Sequence, residues 1–133
     1  MCEDIKQTAD GNFIVIGVIN LIRVPQLPVI AGRLLVINRW TAGIGQFTEN
    51  VRVIAPDQST VLRKADLKFE LRDAALQATN VVVFNQLEFK TAGTYFVEVL
   101  VDDVMKIRYP VPVIHAPAPN QPPAPPAAEG VPA

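Results

Sequence analysis

The stretch from Gln86 to Val111 constrains the fold more than any other part of the chain. From Tyr95 onward the residues alternate. Tyr95, Val97, Val99 and Val101 fall on one face, and Phe96, Glu98 and Leu100 on the other. A two-residue period in aromatic and β-branched side chains marks a half-buried strand. Asp102-Asp103 breaks the alternation with residues that tolerate tight-turn backbone angles, and Val104 to Tyr109 returns as the partner strand. Pro110 and Pro112 remove ladder donors, which predicts a closing strand that frays at a sheet edge. Just upstream, Leu87, Phe89, Gly93 and Tyr95 have the spacing of a tyrosine corner, in which the phenol bonds back to the chain and pins a crossover between sheets.

Further strands are spaced along the chain with turn signals between them. Cys2–Gln7 is a short first strand, and Ala9-Asp10-Gly11-Asn12 is a turn. Phe13–Ile19 is apolar on both faces, which predicts a strand in mid-sheet with both sides covered, one of them by a loop, the tail or another subunit. Arg23–Pro28 reads as a connection, since Pro25 and Pro28 stay out of any ladder. Arg33–Trp40 is the next strand, and Thr41–Gln46 its turn. In Phe47–Ile54, Val51 and Val53 point inward while Asn50 and Arg52 point outward. From Val61 to Arg72 apolar and charged residues alternate as in a strand with one solvated face, although Asp66–Gln77 also suits a helix. Val81–Phe84 is a buried strand. This succession predicts an all-β, immunoglobulin-like antiparallel sandwich of seven to eight strands over residues 1–115.

Composition narrows the function classes. The 133 residues suffice for one domain with its own core. Twelve basic and 13 acidic residues nearly cancel, which gives no electrostatic case for nucleic acid or an anionic membrane. No run reaches the roughly 18 apolar residues of a membrane span. Cys2 is the single cysteine, so no internal disulfide forms, in keeping with a reducing compartment. Met1-Cys2-Glu3-Asp4 lacks the features of a signal peptide. A cytoplasmic protein is the expectation.

The chemistry-bearing residues form no constellation. His115, Cys2 and Ser59 are each the only one of their kind. A hydrolytic triad would have to join Ser59 in a turn to His115 at the end of the last strand, with no motif around either. Metal sites need more His or Cys ligands than the chain carries, and Asp102 and Asp103 lack a spaced oxygen-ligand loop. Glu88 and Glu98 as paired carboxylates, and Arg23, Arg33, Arg39 and Arg52 as a basic strip on one sheet, are the remaining candidates. Gly43 and Gly45 lack the third glycine and lysine of a phosphate loop and read as a hairpin. No enzyme activity, cofactor or metal is expected.

Residues 116–133 cannot build a core. Seven of the 12 prolines lie here, as Pro-x-x-Pro spacings at 119–122 and 122–125 without a flanking cation. This composition predicts a disordered or polyproline II tail.

Cys2-Glu3-Asp4-Ile5, the Gly11-x5-Gly17-Val18 segment and the Leu87-x-Phe89-x3-Gly93-x-Tyr95 corner resemble a family of small, uncharacterised bacterial proteins over residues 2–114. Asn12 stands where that family has Lys, and the tail is additional. The resemblance implies an immunoglobulin-like sandwich and no known activity. The expected function is therefore a structural or protein-interaction module, with a protein partner or self-association. Its candidate interface is Phe13, Ile14, Val15, Ile16 and Trp40. The alternative is a small-ligand or carbohydrate-binding module using loops 41–46 and 102–103.

Overall fold

The computed structural model describes residues 1–116. Nine strands form two sheets: β1 (Cys2–Gln7), β2 (Phe13–Val18), β3 (Ile22–Val24), β4 (Val29–Thr41), β5 (Gly45–Ile54), β6 (Val61–Leu71), β7 (Gln77–Phe89), β8 (Gly93–Val101) and β9 (Val104–His115). One sheet has the order β2-β1-β4-β7, and the other β3-β9-β8-β5-β6. All pairings are antiparallel except β3 with β9. The core lies between the sheets. Leu34 and Val36 of β4 and Val82, Phe84, Leu87 and Phe89 of β7 meet Val51 and Val53 of β5, Val97 and Val99 of β8 and Val111 and Val113 of β9. Within each strand these residues alternate, as a two-residue period requires, except that β7 changes parity between Phe84 and Leu87, where Gln86 has φ 57°. The chain is a β-sandwich.

The count exceeds the expected seven to eight strands because Arg23–Pro28 is not all connection. Ile22–Val24 pairs in parallel with Val113–His115 before Pro25 ends the ladder. The closing strand also corrects the expectation of fraying after Tyr109. β9 continues through both prolines to His115, with Pro110 opposite Phe96 and Pro112 opposite Thr94. β3 joins its far side only from Val113, so the prolines occupy a stretch whose outer edge is unpaired, where a missing donor is harmless. The 66–77 ambiguity resolves to strand. β6 runs to Leu71, and Asp73 then accepts the N–H of Ala75 at its side chain and of Leu76 at its carbonyl, which turns the chain into β7.

The larger correction concerns β2. It lies at an edge of its sheet, and Ile14, Val15, Ile16 and Val18 are all exposed. A mid-sheet place would need a strand on its outer side, but the next segment, β3, crosses to the other sheet. Its neighbour β1 is itself held to β4 by a single register pair, Cys2 with Leu35. An Arg33–Asp4 ion pair of 2.9 Å adds to that attachment. The β1–β2 hairpin is thus anchored at its Cys2 end.

Candidate functional site

The densest polar arrangement of the interior sits at the end of the sandwich where β8 turns into β9. The two-residue period that points Val51 and Val53 inward also points Glu49 inward. The same parity carries Asn38 and Trp40 inward after Leu34 and Val36 on β4, and Asn80 inward before Val82 on β7. Asn38 and Asn80 are register partners in one sheet, and Glu49 reaches them from the other. Asn38 Nδ2 donates to Glu49 Oε2 at 2.5 Å. Trp40 Nε1 and Asn80 Nδ2 donate to Oε1 at 3.0 and 2.7 Å. Glu49 is fully buried, at 0% exposure.

Three neutral N–H groups, and no ion-pair partner among the described residues, hold this carboxyl group. Among the described residues the ion pairs are Arg33–Asp4, Arg72–Glu70 and Arg108–Glu98, none of which involves Glu49. A buried carboxylate is tolerated when its lone pairs are filled in this way. The network engages both carboxyl oxygens and ties sheet to sheet.

Above it the sandwich opens into an apolar cleft of about 320 Å³, lined by Trp40, Thr41, Gly43, Phe47, Phe69, Leu71, Val101 and Lys106. Phe69 stacks between the other two rings, 6.3 Å from Trp40 and 5.5 Å from Phe47. The loop between β4 and β5 forms one wall, with Ala42 at φ 66°. Asp102 and Asp103 have φ of 49° and 67°, the pair of positive values that a type I′ hairpin turn needs. Asp102 is tied down: its backbone N–H donates to the Thr48 carbonyl and its Oδ1 accepts the Thr48 N–H, both at 2.9 Å. The loops 41–46 and 102–103 therefore stand at the same end of the molecule.

Tyr95 lies at the opposite end of β8. Its hydroxyl donates to the Thr91 carbonyl at 2.7 Å, and its ring packs edge-on against Phe89 at 5.0 Å. Leu87, Phe89 and Tyr95 are buried. Gly93 has φ 147°, and a Cβ there would lie 2.9 Å from Pro56 Cγ, so only glycine fits. In the adjacent turn the Asp57 carboxyl is held down near a pKa of about 2, first by the Thr60 hydroxyl and then by the Thr60 and Ser59 N–H groups. Burial pushes the Cys2 thiol up from its ordinary value and the Tyr109 phenol up to about 12.

The remaining sequence candidates are dispersed. Phe13, Ile14, Val15 and Ile16 line β2, whereas Trp40 stands seven residues beyond Arg33 on β4 with its N–H given to Glu49. The expected interface is thus two separate places. Glu88 belongs to one sheet and Glu98, paired with Arg108, to the other. Arg33 and Arg39 lie on β4, while Arg23 and Arg52 lie on strands of the second sheet, so they form no strip on one sheet. The Ser59 N–H is bonded to Asp57 and the His115 ring sits 3.1 Å from the Pro25 carbonyl; no hydrogen bond joins Ser59 to His115. Among the described residues no group of three or more His, Cys, Asp or Glu is placed to hold a metal ion. No helix among them is long and apolar enough to cross a membrane. The expected disordered or polyproline II tail falls, from residue 117, outside the described residues.

Fold and site together define an all-β sandwich with an inter-sheet polar clamp beneath an aromatic cleft. The chain belongs to a family of unknown function (DUF6941), whose model matches residues 1–114. Neither the curated proteins nor the solved structures contain a match to it.

Proposed function

We propose that this protein is a non-enzymatic structural or interaction module that joins a protein partner, or a second copy of itself, by strand addition at β2. One observation carries the reading: β2 is an edge strand that presents Ile14, Val15, Ile16 and Val18 to solvent. Protected edges carry charge, proline or a bulge, and Phe13–Val18 has no charged residue and no proline. Strand addition satisfies such an edge through backbone hydrogen bonds, with alternate side chains giving selectivity. The bond from Tyr95 back to Thr91 supports an immunoglobulin-like arrangement of the sandwich. The free Cys2 thiol supports a reducing, cytoplasmic setting.

The test is light scattering over a range of concentration, on the full chain and on the Ile14→Lys, Ile16→Lys double variant. The expected result is a larger mass for the native chain than for the variant at every concentration tested. Equal, single-chain masses for both would remove self-association at β2.

A second reading has its own observation. Loop 41–46 contributes Thr41 and Gly43 to the aromatic cleft, and loop 102–103 is tied to Thr48 at the same end of the molecule, which supports a small-ligand or carbohydrate-binding module. Thermal-shift screening with sugars tests it, since a ligand that binds only the folded state raises the melting temperature.

A further inference from the structure

We propose that the aromatic cleft is a receptor for the proline-rich segment Pro119–Pro125 of a second copy of this chain. The cleft has the chemistry that polyproline II segments use, a groove walled by aromatic rings that accepts an already extended, low-entropy backbone. Trp40, Phe47 and Phe69 supply the rings, and Thr41 and Lys106 supply polar groups at the rim. Its volume of about 320 Å³ admits a few residues, not a whole domain. Pro119-Asn-Gln-Pro122 and Pro122-Pro-Ala-Pro125 carry no charge, as an apolar groove requires.

The position of the tail decides which copy is involved. β9 begins at Val104 beside the cleft and ends at His115, and the Ala116 N–H is fixed to the Val24 carbonyl at 2.8 Å. Lys106, in the cleft wall, lies ten residues back along the strand from Ala116, a distance of roughly 33 Å at about 3.3 Å per residue. From Ala116 the chain reaches Pro125 in nine residues, about 28 Å as polyproline II. It must also reverse direction to run back. The proline motifs therefore fall short of the cleft on their own molecule, and the occupant comes from another. With receptor and ligand at opposite ends of one strand, the contact is head-to-tail, the geometry that closes into rings or extends into filaments. This contact uses neither face of β2, so it stands or falls apart from the strand-addition reading.

Trp40 is the only tryptophan of the chain and lies in the cleft wall, so its fluorescence reads occupancy directly. The experiment compares the native full chain with a full-length variant in which Pro119, Pro122, Pro123 and Pro125 are replaced by Ser. A synthetic peptide of residues 116–126 is then added to that variant. The native protein is expected to show a saturable emission change with its own concentration. The variant should show none until the peptide is added, and a peptide with the same four replacements should bind at least tenfold more weakly. Thr41→Arg, which fills the cleft mouth from an exposed position, should abolish the peptide response with an unchanged circular dichroism spectrum. The proposal is overturned if the peptide leaves Trp40 emission unchanged. It is equally overturned if native and variant emission differ by an amount independent of concentration, the mark of a tail bound to its own chain.

Discussion

The two ends of this sandwich solve the same problem by different means. At each end the sheets must be held together where strands turn back and apolar packing thins out. At the cleft end the fastening is a cross-sheet side-chain network, in which Glu49 collects Asn38, Trp40 and Asn80. At the corner end it is local. Tyr95 bonds to a carbonyl four residues away, and Gly93 lets Pro56 approach the backbone closely. A cross-sheet network stakes much on one buried group, because removing that group leaves several others unsatisfied. A local corner spreads the risk over contacts that can fail singly.

The comparison predicts an order of damage. Glu49→Ala should be the most harmful change, because it strands three donors in the interior. A loss of about 3 kcal/mol or more in urea unfolding is expected, from a cost on the order of 1 to 3 kcal/mol for each stranded donor. Glu49→Gln should cost only about 1 kcal/mol, since its oxygen still accepts from Trp40 and Asn80 and the Asn38 amide can turn to accept from the new NH2 group. If the two variants were equally destabilised, the network would not be the fastening. Gly93→Ala comes next at about 2 kcal/mol, from a left-handed φ and the clash with Pro56. A loss below a few tenths would show that the Pro56 turn gives way freely.

Tyr95→Phe removes one hydrogen bond and keeps the ring, so a loss of about 1 kcal/mol is expected by chemical denaturation. A loss as large as that of Glu49→Ala would erase the distinction between the two ends. The smallest effect belongs to Asp57→Asn. Because the Asp57 pKa is lowered from 3.8 to about 2, its contribution is present above pH 3.8 and fades as pH falls toward 2. Asp57→Asn should therefore be slightly less stable above pH 3.8, and the difference from the native chain should close as pH falls toward 2.

Most of the fold was legible in the residues, because alternation is a local signal. The alternation of β6 and β8 and the spacing of Leu87, Phe89, Gly93 and Tyr95 needed no knowledge of partners. The cleft-end clamp is encoded in the same alternation, in a polar residue on an apolar face. Phe47, Glu49, Val51 and Val53 share one parity, and extending the inward face past the valines would have placed Glu49 in the core. Polar residues are discounted when an apolar face is sought, and their partners on β4 and β7 emerge only once the sheets are stacked. The edge position of β2 is illegible in the sequence for a different reason. Apolar residues on both faces show what a strand would bury, whereas topology decides whether anything arrives to bury it. β3 came to notice only in the structure, since three residues before a proline carry no period.

The single backbone bridge between β1 and β4 has a consequence for how this molecule opens. Cys2, at that bridge, is fully enclosed at 0% exposure. A thiol reagent can reach it only when the hairpin peels away from Leu35 or the whole domain unfolds. The labelling rate of this one sulfur is thus a clock for hairpin release, and its dependence on urea separates a small local opening from global melting.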